Sequence, residues 1–246
     1  MTGPEEGADP PRSSEEQPRH PVPAPPKQPL STQPITLPDD SGARAGSGRS
    51  KRRRRRRRGR LPDRAVVLVG PMAAGKTSLG RKLAKDLGIP FVDTDAVFVR
   101  RHGAIADFFA SHGEEEFRRI EAEIIAEELA QPGARIVALG GGAVLTERTR
   151  LLLQRHPVVL LMTTQAAVLR TANLSRRPLL RDDPEAWGRI LEERRPLYIE
   201  VADVTFRTDR ATKEQLSRRV SGWMRGQARR QRAGGENEKP EGQDEG

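Results

Sequence analysis

"VLVGPMAAGKTSLG", residues 67–80, runs a short apolar segment into a loop of small residues that ends in lysine and threonine. Gly70, Gly75, Lys76 and Thr77 satisfy the spacing G-x-x-x-x-G-K-[ST], in which backbone N–H groups cradle a polyphosphate and the lysine reaches its terminal phosphates. Gly70, Ala73, Ala74, Gly75, Lys76, Thr77 and Ser78 are therefore the candidate nucleotide-binding residues. The motif is physically sensible only between a buried strand and an amphipathic helix, and both are legible. "AVVLVG" (65–70) is a continuous apolar run rich in β-branched residues, as expected of a central parallel strand covered on both faces. Leu79, Leu83 and Leu87 recur at helical spacing with Arg81, Lys82 and Lys85 between them, and Gly88 and Pro90 end the helix. Phosphates would then meet a helix N-terminus, where unpaired amides and the helix dipole favour anions.

The same alternation continues along the chain. "PFVD" (90–93) reads as a second strand, followed by helices near 95–102 and 105–111 and a long helix from about 114 to 130 with Phe117, Ile120, Ile124 and Leu129 on one face. "RIVAL" (135–139), "PVVLLM" (157–162) and "DVTFRT" (203–208) supply three more strands, each followed by helical periodicity. Repeated βα units with right-handed crossovers give a P-loop three-layer α/β/α domain on a central parallel sheet of about five strands. Ligands of such open sheets bind at the carboxyl ends of the strands.

Those ends carry chemistry. The second strand finishes in Asp93-Thr94-Asp95, and alternation along a strand would turn both carboxylates to one side. One could hold a Mg²⁺ water shell while the other accepts a substrate hydroxyl and its proton; equally, Asp95 could only cap a helix that begins at Ala96. The third strand finishes in Gly140, Gly141 and Gly142, which permit either the close approach of a ligand or merely a tight turn. Arg118 and Glu121 lie one turn apart on the long helix, Arg170, Arg176 and Arg177 bracket a polar segment before Pro178, and Arg194 precedes Pro196 and Tyr198. A single such arginine is more often solvated than functional.

Charge and composition bound the rest. The chain has 246 residues and a net charge of +10, and Arg49, Lys51, Arg52 to Arg58 and Arg60 alone supply ten positive charges. That tract could bind nucleic acid or another polyanion through counterion release, or be a solvated linker. It contains no aromatic residue to stack on bases. Residues 1–48 hold 11 of the 20 prolines and no apolar periodicity, so residues 1–60 read as an unfolded Pro-rich then Arg-rich tail. Residues 225–246 are polar and charged and read as a second tail, leaving one folded domain over 61–224. Without cysteine there is neither a disulfide framework nor a thiolate metal site. No apolar run reaches membrane-spanning length and no signal-peptide core is present, so a cytoplasmic protein is expected.

Taken together and in order, "GPMAAGKTSLG", "FVDTD", "GEEEFRRIE", "ALGGGAVL", "RRPLL" and "ERRPLYIEVAD" resemble the shikimate kinase family over about residues 65–222. The resemblance implies a Mg²⁺-dependent enzyme that transfers the ATP γ-phosphate to the 3-hydroxyl of shikimate in aromatic amino-acid biosynthesis; a monomer is expected. By the same resemblance Lys76 and residues 73–78 hold phosphates, and Thr77 supplies an oxygen to Mg²⁺ with Asp93 near its water shell. Asp95, Arg118, Gly140, Gly141, Gly142 and Arg194 form the shikimate pocket. Arg177 comes from a closing lid to the transferring phosphate, and Arg170 and Arg210 lie by the adenine. Three departures stand out: Ala73 where the family commonly has glycine, Val99 where an acid is expected, and a loop at 103–105 one residue short. A gluconate-kinase-like enzyme is the nearer alternative, and a nucleic-acid-associated ATPase using the arginine tract the farther one.

Overall fold

The structure is a computed structural model that describes residues 61–171 and 185–236. The expected tail over 1–60 with its arginine tract, residues 172–184 of the expected closing segment 171–184 with Arg176 and Arg177, and residues 237–246 lie outside the described residues.

Five strands, β1 (Ala65–Val69), β2 (Phe91–Asp93), β3 (Arg135–Ala138), β4 (Val158–Met162) and β5 (Val204–Arg207), form one sheet in the order β2-β3-β1-β4-β5. Every pairing is parallel, with Ala65 opposite Arg135 and Val67 opposite Val158. The β-branched run of β1 sits at the centre because it is apolar on both sides. Ala65, Val67 and Val69 pack into one core, and Val66 and Leu68 into the other.

Helices cover both faces: α1 (Lys76–Leu87), α2 (Thr94–His102), α3 (Ile105–Ala130), α4 (Glu147–Leu153), α5 (Gln165–Thr171), α6 (Ala186–Val201) and α7 (Lys213–Glu236). Leu79 and Leu83 of α1 join Val220 and Met224 of α7 on one face; Ile125 and Leu129 of α3 join Trp187, Leu191 and Tyr198 of α6 on the other. A separate aromatic cluster, Phe98, Phe108 and Phe117, ties α2 to α3 beyond the sheet edge. The α3 helix is broken at Gly113 (φ 80°, ψ 173°), so the two expected helices near 105–111 and 114–130 meet there at a sharp break.

Two expectations need correction. The second tail does not begin at 225, because α7 continues through Glu236 and Ala228 is buried against the domain. Alternation along a strand does not relate the two aspartates either: Asp93 ends β2, whereas Asp95 stands in the first turn of α2.

Candidate functional site

The carboxyl ends of β1, β2 and β3 converge on one crevice, as the strand order dictates. From β1 the chain enters the glycine-rich loop, whose Lys76 ammonium donates to the carbonyls of Gly70 (2.7 Å) and Pro71 (2.9 Å). The loop is drawn around its own lysine. Gly75 has a left-handed φ of 86°, and Ala73 has φ 65°, the only positive φ of a non-glycine residue among those described. The position that departs from glycine is thus held in a conformation that glycine would adopt without steric cost.

From β2 come the two aspartates. The Thr77 hydroxyl donates to Asp93 Oδ2 at 2.6 Å, and Asp93 Oδ1 accepts the Ala96 N–H at 3.3 Å, so the capping role considered for Asp95 belongs to Asp93. Asp95 is thereby released from capping and faces the third loop. A Cβ on Gly140 would lie 2.6 Å from Asp95 Oδ1 and 2.7 Å from Glu121 Oε1. Burial pushes the Asp95 carboxyl above its ordinary range and the Asp93 charge adds to this, while Lys76 and Arg118 pull the other way.

From α3 comes Arg118, which donates through Nη1 to Glu121 (2.6 Å) and through Nε and Nη2 to Glu114 (3.2 and 3.1 Å). Burial opposes its charge, but the two carboxylates outweigh that and hold the guanidinium above its usual range. Burial likewise pushes the Glu121 carboxyl up, against the pull of Arg118. The guanidinium lies directly over Gly142, where a Cβ would come within 2.3 Å of Nη2. Any side chain there would displace the arginine, so the triple glycine is a close approach as well as a turn.

From α6 come Arg194 and Tyr198, both donating to the Gly141 carbonyl, Arg194 through Nη1 at 3.4 Å. Burial pushes the Tyr198 phenol up to about 12, so it remains a donor at neutral pH. The Arg194 Nε is buried with no hydrogen-bond partner among the described residues. Trp187, from the same helix, donates its indole N–H to the Met72 carbonyl at 3.1 Å.

The site therefore gathers Gly70, Ala73, Ala74, Gly75, Lys76, Thr77 and Ser78 with Asp93, Asp95, Arg118, Gly140, Gly141, Gly142 and Arg194. Arg170 is exposed on α5 and Arg210 is exposed after β5. Val99 is exposed on α2 and Gly103 caps that helix. The sequence reading missed Glu114 and Trp187: the i−4 spacing from Arg118 was a signal for the first, and none marked the second, whose partner lies 115 residues away.

The family model for shikimate kinase matches residues 72–225. A shikimate kinase of Corynebacterium efficiens is 45% identical over 155 residues, 61% of this chain and 90% of that protein. Among solved structures, a shikimate kinase from Acinetobacter baumannii in complex with shikimate superposes with a TM-score of 0.60 at 36% identity, covering 65% of this chain and 92% of that one. A gluconokinase from Sinorhizobium meliloti superposes with a TM-score of 0.50 at 19% identity over 70% of this chain and 97% of that one, which shows a shared fold alone.

Proposed function

The chain belongs to the shikimate kinase family, and from that premise we propose how its own residues transfer the ATP γ-phosphate to the 3-hydroxyl of shikimate. The observation that carries the reading is the placement of Asp95 and Arg118 on opposite ends of the Gly140–Gly142 turn, beside the phosphate loop.

Backbone N–H groups of residues 73–78 at the start of α1 receive the phosphates, and Lys76 turns from the loop carbonyls to the terminal phosphate oxygens. Thr77 and Asp93 offer a hydroxyl and a carboxylate oxygen 2.6 Å apart, hard donors that fit Mg²⁺. Thr77 and Asp93 would hold Mg²⁺, directly or through its water shell, and the bound ion would supply neutralisation of phosphate charge. Arg118 and Arg194 present planar forks to the carboxylate of shikimate. Asp95 accepts the hydrogen bond, and then the proton, of the attacking hydroxyl; its raised pKa makes it a stronger base than an exposed aspartate. Arg177, with Arg176 beside it, is assigned to the closing segment and to the charge developing on the transferring phosphoryl group. Arg170 and Arg210 are assigned to the adenine.

The enzyme is assigned as a monomer. ATP as co-substrate supports a cytoplasmic setting, and among the described residues no helix is long and apolar enough to cross a membrane. The catalytic unit is assigned to residues 61–236, with residues 1–60 outside the chemistry. An ADP-release assay tests the reading. Turnover is expected with shikimate and Mg²⁺, not with gluconate, and without stimulation by DNA or RNA. Turnover with gluconate alone would transfer the site to a different acceptor.

A further inference from the structure

A peptide plane in the phosphate loop is held from outside the loop. Ala73 has φ 65°, a left-handed conformation that an alanine adopts only when its surroundings over-determine it. The carbonyl of Met72 belongs to the same peptide unit as the Ala73 N–H, so turning that plane changes the φ of Ala73 directly. The Met72 carbonyl accepts the Trp187 indole N–H at 3.1 Å. Trp187 is only 3% exposed, and Met72 and Ala73 pack against the core cluster that contains it. A buried indole normally finds a partner for its N–H, and this one finds it 115 residues away, on the helix that also carries Arg194 and Tyr198.

We propose that Trp187 is a positioning residue for nucleotide binding: its N–H fixes the Met72–Ala73 peptide plane and so keeps a loop with alanine at position 73 in the phosphate-receiving conformation. The phenyl ring of Trp187→Phe would fill most of the space but release the carbonyl. The loop would then relax toward a negative φ at Ala73 and lose the alignment of its amides. The inference rests on the phosphate loop receiving ATP, as proposed above.

A double-mutant cycle tests it, with KM for ATP and for shikimate measured in the full chain carrying Trp187→Phe, Ala73→Gly, or both. Trp187→Phe is expected to raise KM for ATP about 3- to 10-fold, the worth of one neutral hydrogen bond, and to leave KM for shikimate unchanged. In the Ala73→Gly background, where positive φ carries no steric penalty, the same change is expected to cost less than about two-fold. An equal rise in both backgrounds, or no rise with Ala73 in place, overturns the proposal. If Trp187→Phe fails to fold, the benzothienyl analogue of tryptophan at 187 keeps the bicyclic shape and lacks the N–H, and the same comparison decides. A wild-type chain that does not turn over ATP would instead sink the nucleotide reading itself, so the two failures are distinct.

Discussion

Asp95 is ionised at a cost, because burial and the Asp93 charge both favour its neutral form while only Lys76 and Arg118 oppose them. Its folded pKa lies above the unfolded value, so its contribution to stability is complete below the ordinary carboxylate range and is lost as pH rises through the folded pKa. Asp95→Asn removes that loss. Its melting temperature is expected to exceed that of the wild type at about pH 8, and the gap to close in acid. The same variant should lower kcat on the order of 10²-fold, because an amide cannot accept the hydroxyl proton. Thermal scans across pH, set beside steady-state kinetics, check both; a variant that loses stability at about pH 8 would show that Asp95 is a structural acid. Arg118 supports a complementary prediction. Its fork is held by Glu114 and Glu121 over Gly142, and Arg118→Lys keeps the charge but not the plane. Calorimetry is expected to find shikimate bound more weakly by about 1–3 kcal/mol and an ATP analogue bound as before. Equal shikimate binding would remove Arg118 from the pocket.

The five strands and the helices that flank them were readable because each is an apolar run of the right period, from the β-branched β1 to the leucine stripe of α1. Even the break in α3 was visible as two periodic stretches around Gly113. The carboxyl-end motifs were readable because their spacing is local. Two features escaped: the division of labour between Asp93 and Asp95, which depends on where β2 stops and α2 starts, and the length of α7, whose charged C-terminal half reads as solvent-loving although Ala228 is buried. That helix packs on α1, where the Ser217 hydroxyl donates to Asp86 Oδ2 at 2.6 Å. The bond to Ser217, then that to Lys82, holds the Asp86 carboxyl below its usual range. A depressed pKa contributes stability above the unfolded value and loses it as pH falls through the folded one. Ser217→Ala is therefore expected to cost about 1 kcal/mol at neutral pH, a modest figure because Asp86 is partly solvated, with the difference fading in acid. Denaturant melts at neutral and acid pH check this. A cost that does not fade would place the effect in packing and not in the carboxylate.

The excess charge of the entire chain is concentrated in one short tract outside the described residues. Ten positive charges lie in Arg49 to Arg60, while residues 1–48 carry a net −3, so the +10 of the protein describes a tract and not the surface of the catalytic unit. The family match begins at residue 72, and among the described residues the assembled crevice draws on none before Gly70. Two consequences should therefore separate cleanly. Deleting residues 1–60 is expected to leave kcat/KM for shikimate within a few-fold. The same deletion should abolish binding to a polyanion such as heparin or single-stranded DNA, binding that in the full chain weakens steeply with salt because each neutralised phosphate or sulfate releases a counterion. A filter-binding titration across salt concentrations, run on both chains beside the ADP-release assay, measures the two properties independently. Loss of turnover on truncation would make the tail part of the catalytic site. Polyanion binding that survives truncation would relocate the basic surface to the folded unit, where the arginines of α7 are the next place to look.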